Sequence, residues 1–324
     1  MIYDPLFILS LIGMFACLTF WVRNSIKESD DFAFIIKNLS TISTAFGLLM
    51  LYSIFINAGD LGIVLLIGSI VSLIVLLLGI YLKNKTIVSS SRGYFIPIFL
   101  IFVLRTFLYE PYQIPSGSMM PGLKVGDFVL VNKYSYGLKI NRTNKSFIKF
   151  NEPDYGEVVV FVPPYNPVPY VKRLIGKPGD TIRIINKQVY VNNKPLEKTL
   201  ISSNNEFITK RILDSTGQIK KVQQEAKVDI FSEKNINNSY MTRNIKGSNI
   251  QYPQEWTVPN GFYFVMGDNR DNSNDSTKDV GFVPRDHFFG KAEYLWMSWE
   301  CWTCIPNFSR VGKINWWKSS SKIN

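Results

Sequence analysis

Two serines one residue apart, Ser116 and Ser118, stand in the stretch YQIPSGSMMPGLKVGDFVLVNKYSYG (residues 112–137), and a lysine, Lys172, stands in PYVKRLIG. A serine hydroxyl is a poor nucleophile at neutral pH and needs a base. A lysine amine serves as that base only where desolvation lowers its pKa. Lys172 has apolar neighbours in Val171, Leu174 and Ile175, and strand alternation puts it on one face with Tyr170 and Leu174 while Arg173 points the other way. By spacing alone it is one lysine among many, so the other catalytic templates matter.

Those templates fail. His287 is the only histidine and no G-x-S-x-G elbow occurs, so a Ser-His-Asp triad has no support; His287 reads as a core or surface residue. SFIK at 146–149 matches S-x-x-K but lacks the SDN and KTG partners. LIGKPGD lacks both the earlier glycine of a phosphate loop and the Ser or Thr after Lys177. In GDNRDNSNDSTKD (267–279), Asp271, Ser273 and Asp275 alternate as in a calcium loop, but Ser276 and Phe282 stand where Gly and Glu are needed, which leaves a polar turn. Cys301 and Cys304 in ECWTCIP lack the βαβ setting of a redox motif and the further soft ligands of a zinc site; they read as an incidental surface pair or a local disulfide. No metal and no cofactor is expected. The net charge of +11 is scattered along the chain without a dense basic stripe, which argues against nucleic acid as a partner.

The elements that must position these residues fall into two kinds. Most long apolar runs of the 324-residue chain lie before residue 110. Residues 62–82, GIVLLIGSIVSLIVLLLGIYL, carry no charge and suffice to cross a hydrocarbon core of about 30 Å; segments near 5–22, 40–58 and 94–109 are weaker candidates, the last carrying Arg105 at its end. Three to four spans are expected. Arg23 and Lys27 in the first loop and Lys83, Lys85 and Arg92 in the third, against none in NAGD, put the basic loops in the cytoplasm and everything after residue 110 outside. The start MIYDPLF lacks the basic region of a secretory leader and reads as a retained anchor.

From residue 125 on, DFVLVNKY, GEVVVFVPP, TIRIINKQVYVNN, GFYFVMGDN and GKAEYLWMSW alternate between turn signals as antiparallel strands do. Residues 192–255, rich in Asn, Lys, Ser and Gln, show no strong period and read as an inserted subdomain or large loop. The expected fold is therefore N-terminal transmembrane helices (1–110) followed by a mainly antiparallel-β ectodomain, its catalytic core in two parts (111–191 and 256–324) around a polar insert (192–255).

IPSGSMMPGLKVGDFVLVNKYSYG, GEVVVFVPP, YVKRLIGKPGD and VMGDNRDNSNDS with GFVP after it, in this order, closely resemble the sequence boxes of bacterial signal peptidase I of the Gram-negative kind. The resemblance covers about residues 94 to 300 with gaps, leaving out the insert and the first spans. It implies a membrane-bound endopeptidase that removes N-terminal signal peptides from exported precursors, cleaving after small residues of an A-x-A site. It further implies an inner-membrane, multi-pass protein in contact with the lipid bilayer, with its catalytic domain on the periplasmic side. Ser118 would be the nucleophile and Lys172 the base, with the Ser116 hydroxyl and the Ser118 N–H on the oxyanion. Ser273 would orient the lysine, Asp268 and Asp275 would brace the site with Arg173 opposite Asp268, and Ile114, Pro115, Met119, Leu123, Tyr170 and Val171 would line the substrate pockets. Two departures stand out: Gly122 replaces a small polar residue, and TKD follows Ser276 where the family has arginine, so that Lys278 is left as the cation for Asp275. The rivals are a related membrane-anchored Ser/Lys protease with another substrate and an inactive binding module of the same fold.

Overall fold

The computed structural model describes residues 4–27, 33–56, 61–139, 146–166, 168–213, 219–235, 238–248, 255–301 and 303–314. The chain divides into two units, Met1–Thr106 and Phe107–Asn324.

The first unit is helical, with helices Pro5–Lys27, Ala33–Ile56, Leu61–Tyr81 and Lys85–Val103. Backbone groups in hydrocarbon must be satisfied within their own segment, which a helix does. Among the described residues three stretches are long and apolar enough to cross a membrane, Pro5–Ile26, Leu61–Tyr81 and Lys85–Leu108; the second helix contains a shorter apolar stretch, Thr41–Ile54. The last span differs from the sequence reading. It begins at Lys85 rather than near residue 94, so Arg92 lies within a helix and not in a loop. Asn84 is the cause: its side chain accepts the Ile87 N–H at 3.1 Å and caps the helix a full two turns earlier than the apolar run suggests. The NAGD loop, residues 57–60, lies outside the described residues.

The second unit is β, and its strand pairs are antiparallel. Its main sheet runs in the order Tyr109–Gln113, Asp127–Asn132, Phe288–Ser298, Val158–Phe161, Tyr170–Gly176, Phe262–Met266, Val283–Pro284. The central strand VVVF is buried at every position. Its side chains alternate between two cores, as a period of two demands. Val158 and Val160 join Ile114, Met119, Leu123, Val129 and Val131 on one face; Val159 and Phe161 join Leu174, Val265 and Phe288 on the other. Each such side chain contributes roughly 1.5–3 kcal/mol by leaving water, and together they fix the strand beside Lys172. A smaller sheet (Trp256–Thr257, Thr181–Ile185, Gln188–Val191, Lys194–Pro195) covers a third apolar cluster.

Within the stretch that shows no sequence period, Glu197–Leu213, Ile219–Lys234 and Ser239–Ile245 are strands. Glu197–Leu213 and Ile219–Lys234 form a long ribbon, and Ser239–Ile245 pairs with the inner end of its second strand. Among the described residues the buried apolar side chains here are few (Ile208, Val228, Ile230, Tyr240), so the alternation is diluted by polar residues while the backbone ladder carries the structure. This sheet is tied to the 267–271 loop. Arg270 donates to Glu233 with both terminal nitrogens, Nη1 at 2.7 Å, and the Tyr240 hydroxyl donates to the same carboxylate at 2.8 Å, all buried. Backbone bonds run from Arg243 N–H to Asp268 O (2.8 Å) and from Arg270 N–H to Arg243 O (3.0 Å).

Arg270→Ala strands the Glu233 carboxylate in a dry site and is expected to destabilise this unit by roughly 3–5 kcal/mol. Chemical denaturation of the full chain in detergent checks it, and the double change Arg270→Met with Glu233→Met should be clearly milder. Equal stability of Arg270→Ala and the parent would show that this ion pair does not hold the ribbon to the loop.

Candidate active site

Ser118 lies in a single 3₁₀ turn, Gly117–Met119, that follows the extended Ser116 (φ −139°, ψ 154°). The turn is anchored from below: Met119 and Leu123 are 1% and 2% exposed, and the Leu123 N–H donates to Met119 O at 3.0 Å. Its return to the sheet passes through Gly126, whose φ of +87° suits glycine and where a Cβ would meet Glu300 Cα at 2.7 Å. Arg310 locks this return from the far end of the sequence. It donates to both Asp127 oxygens (2.6 and 2.8 Å) and to Gly122 O at 2.9 Å.

Lys172 sits on the strand Tyr170–Gly176, opposite Val159. Its Nζ donates to Ser118 Oγ at 2.7 Å and to the Val171 carbonyl at 3.1 Å, and the residue is 4% exposed. Burial pulls its pKa down from 10.5 to about 8, against the opposing pull of the Asp275 and Asp268 carboxylates. The Tyr170 ring lies 5.4 Å from the same ammonium. Ser116, exposed, donates its hydroxyl to Ser118 Oγ at 3.4 Å.

On the opposite face of the strand Arg173 forms a fork with Asp268, Nε to Oδ1 at 2.7 Å and Nη2 to Oδ2 at 2.6 Å. Its third nitrogen donates to Gly156 O at 2.7 Å, and its plane stacks 3.9 Å above the Tyr240 ring. Asp268 opens the loop that closes over the serine turn. The preceding Gly267 is required by contact: a Cβ there would strike the Ser273 side chain and stand 2.6 Å from Ser118 O. Asn269 then makes two bonds to the turn, its backbone N–H to Ser118 O (3.0 Å) and its side-chain amide to Gly117 O (2.9 Å).

The sequence-derived positions are not all as expected. Lys278 does not face Asp275; its Nζ donates to the Ser273 carbonyl at 2.7 Å. Asp275 is held instead by the Gly267 N–H (2.8 Å) and by the N–H and hydroxyl of Thr277 (3.1 and 2.7 Å). The Ser273 hydroxyl is buried without a hydrogen-bond partner and is not joined to Lys172, whose Nζ is directed at Ser118 Oγ and Val171 O. Ile114, Met119 and Leu123 are core residues under the turn, leaving Pro115, Tyr170 and Val171 as the members of that group a peptide could reach. The calcium-like spacing is used otherwise, since Asp271 Oδ2 accepts from Lys187 Nζ (2.9 Å) and the Ile245 N–H (2.6 Å). His287 Nδ1 donates to Val162 O at 2.7 Å, and Cys301 and Cys304 form a disulfide.

Asn269, Arg270, Glu233 and Arg310 escaped the sequence reading. The first two lie inside the quoted GDNRDN box and were open to notice. Glu233 and Arg310 stand in stretches without a motif, and only the fold brings them in.

A serine hydroxyl against a buried lysine amine, on an antiparallel β scaffold, has the composition of a serine peptidase site. Residues 87–299 match the family described as Signal peptidase, peptidase S26, and the chain belongs to that family as a serine endopeptidase of the signal peptidase type. It is 38% identical to a signal peptidase I of Pseudomonas aeruginosa over 247 residues, covering 72% of this chain and 81% of the relative. Against a signal peptidase I of Buchnera aphidicola subsp. Schizaphis graminum the identity is 39% over 268 residues, covering 72% and 86%. A crystal structure of a signal peptidase I from Enterococcus faecalis aligns with 44% of this chain and 98% of its own, at 26% identity and a TM-score of 0.26.

Gly267→Ala must push the Ser118 turn away from its loop. A displacement on the order of 1 Å at a reacting atom costs about a hundredfold in rate, so kcat on a precursor peptide is expected to fall by about that factor while the protein stays folded by circular dichroism. Unchanged kcat would mean the two segments are free to separate.

Proposed function

We propose that the protein is a membrane-anchored endopeptidase that removes N-terminal signal peptides from exported precursors, with Ser118 as nucleophile and Lys172 as general base. One observation carries the reading: the 2.7 Å hydrogen bond between Lys172 Nζ and Ser118 Oγ, made by a lysine that is 4% exposed. The names of the relatives supply the substrate class.

The chemistry runs as follows. Neutral Lys172 takes the proton of Ser118 as Oγ bonds to the scissile carbonyl carbon, and the carbonyl electrons move onto oxygen. The Ser118 N–H and the Ser116 hydroxyl donate to that oxyanion. The intermediate collapses as the C–N bond breaks, and Lys172 returns the proton to the leaving amine. Water attacks the ester with Lys172 again as base, releasing the signal peptide carboxylate and restoring Ser118. Asp275 and Asp268 hold the loop around the lysine while limiting how far burial lowers its pKa. Ser273, buried beside Gly267 in the same loop, is the residue that the family resemblance assigns to orienting the lysine, a role it would take on only by forming a bond to Lys172 Nζ that this structure does not contain. Pro115, Tyr170 and Val171 offer a shallow apolar surface that suits the small side chains of an A-x-A site. Three stretches are long and apolar enough to cross a bilayer, and with the second helix, Ala33–Ile56, crossing as a fourth, Arg23, Lys27, Lys83 and Lys85 fall together on the cytoplasmic side; this supports a multi-pass protein of the bacterial inner membrane with its catalytic unit on the periplasmic side.

Ser118→Ala and Lys172→Met are each expected to abolish precursor cleavage with the β signal intact, and the double variant should be no worse than either, as befits groups acting together. Because the lysine must be neutral, about a tenth of molecules are competent at pH 7 and about nine tenths at pH 9; kcat/KM should rise across that interval with a midpoint of about 8. Substantial cleavage by Lys172→Met, or a flat profile between pH 7 and 9, would eliminate Lys172 as the base. A reporter fused after Asn84 should behave as cytoplasmic and one at the C-terminus as exported; a cytoplasmic C-terminal fusion would overturn the orientation.

A further inference from the structure

We infer that Asn269 is a positioning residue for oxyanion stabilisation, acting through the peptide between Gly117 and Ser118. The inference rests on the reading that the Ser118 N–H is an oxyanion donor. That N–H belongs to the same planar unit as the Gly117 carbonyl, and in a trans peptide the two point in opposite directions. A bond that fixes where the Gly117 oxygen points therefore fixes where the Ser118 N–H points. Asn269 makes that bond, Nδ2 to Gly117 O at 2.9 Å, and its backbone N–H holds the next carbonyl, Ser118 O, at 3.0 Å. The turn's own contribution to Gly117 O is the longer bond from Met120 N–H at 3.2 Å.

Asn269 is built to hold its aim. It is fully buried, and its backbone is carried by bonds on both sides, Arg243 N–H to Asp268 O and Arg270 N–H to Arg243 O. Its own Oδ1 is buried without a partner, so the amide's bonding is spent on the serine turn. Reversing the amide would set Oδ1 against the Gly117 oxygen, acceptor against acceptor. The donated bond also polarises the peptide, making the Ser118 N–H a stronger donor at the moment charge develops. A short backbone bond elsewhere in the loop would stabilise the fold but would not orient this one peptide.

The test compares Asn269→Ala, Asn269→Asp and Ser116→Ala in the full-length protein, with active enzyme counted by covalent titration of Ser118. Both Asn269 variants are expected to lose about tenfold to a hundredfold in kcat per titrated site, less than the loss of a whole oxyanion donor. KM for the precursor peptide and the midpoint near pH 8 should not move, because Asn269 touches neither the peptide surface named above nor Lys172. A peptide aldehyde, whose carbonyl becomes an oxyanion on addition of Ser118, should bind more weakly by the same factor, while the cleaved peptide acid binds as before. Unchanged kcat and aldehyde affinity in both variants would overturn the inference, as would a loss confined to KM. If Ser116→Ala lowers kcat while the Asn269 variants do not, this inference alone fails. If Ser116→Ala leaves kcat and aldehyde affinity untouched as well, the oxyanion reading beneath it fails.

Discussion

The site depends on removing one ammonium group from water. Lys172 is held in the second half of a sheet whose central strand is apolar on both faces, and burial rather than any neighbouring cation lowers its pKa. Everything nearby serves to keep that amine dry and directed. The serine turn and the 267–275 loop lie beside it, and the strand carbonyl of Val171 accepts a second N–H of the amine, alongside the bond to Ser118 Oγ. Two carboxylates nearby pull in the opposite direction, so the resulting basicity is a balance: deeper burial would make a weaker base, and a closer carboxylate would keep the amine charged.

Arg173, the adjacent residue, shows the other solution to a buried cation. Its charge is kept and paired in a fork with Asp268, with the third nitrogen on a backbone carbonyl. Alternation sends the two side chains to opposite faces, and the two environments demand opposite treatment of the same formal charge. Asp268 thereby links the faces: its carboxylate meets Arg173, its carbonyl accepts from Arg243 on the strand Ser239–Ile245, and the next residue grips the serine turn.

Much of this was legible in the sequence because it depends on local pattern. Residues 62–82 are a charge-free run of sufficient length, GEVVVFVPP reads as a strand between turn signals, and the alternation in YVKRLIG separates Lys172 from Arg173. What escaped the sequence shares a physical character. The ribbon has too few apolar side chains to show a period, and its order comes from paired backbone and from polar residues satisfied at a distance. Arg310 reaches Asp127 across 183 positions, and Glu233 meets Arg270 across 37. The start of the last helix was misjudged because a polar cap, Asn84, and not hydropathy, decides where it begins. Lys278 was assigned by charge alone, whereas the smaller Thr277 satisfies Asp275 with two short bonds and leaves the lysine to a carbonyl.

The ribbon is built in two tiers. From Val228 to Lys234 its second strand is flanked by Ser239–Ile245 as well as by the first strand, making a three-stranded sheet; beyond Val228 it is a lone pair of strands. Two-stranded ribbons are marginal in water, so the part of the outer tier past Ile208 opens independently, while its base, where Arg243 donates to Glu206 at 2.6 Å and Ile208 is buried, shares the stability of the inner tier and of the loop that holds the serine turn. Variation in length is therefore inexpensive at one end and forbidden at the other. The outer tier can grow or shrink by one residue in each strand at a time, a paired change that preserves every register contact inward of it. An unpaired insertion would need a bulge, or would turn the face of every residue beyond it, and close to Glu233 it would rotate that carboxylate away from Arg270. In lineage terms, the ribbon is a place where this enzyme can acquire new surface without altering its chemistry.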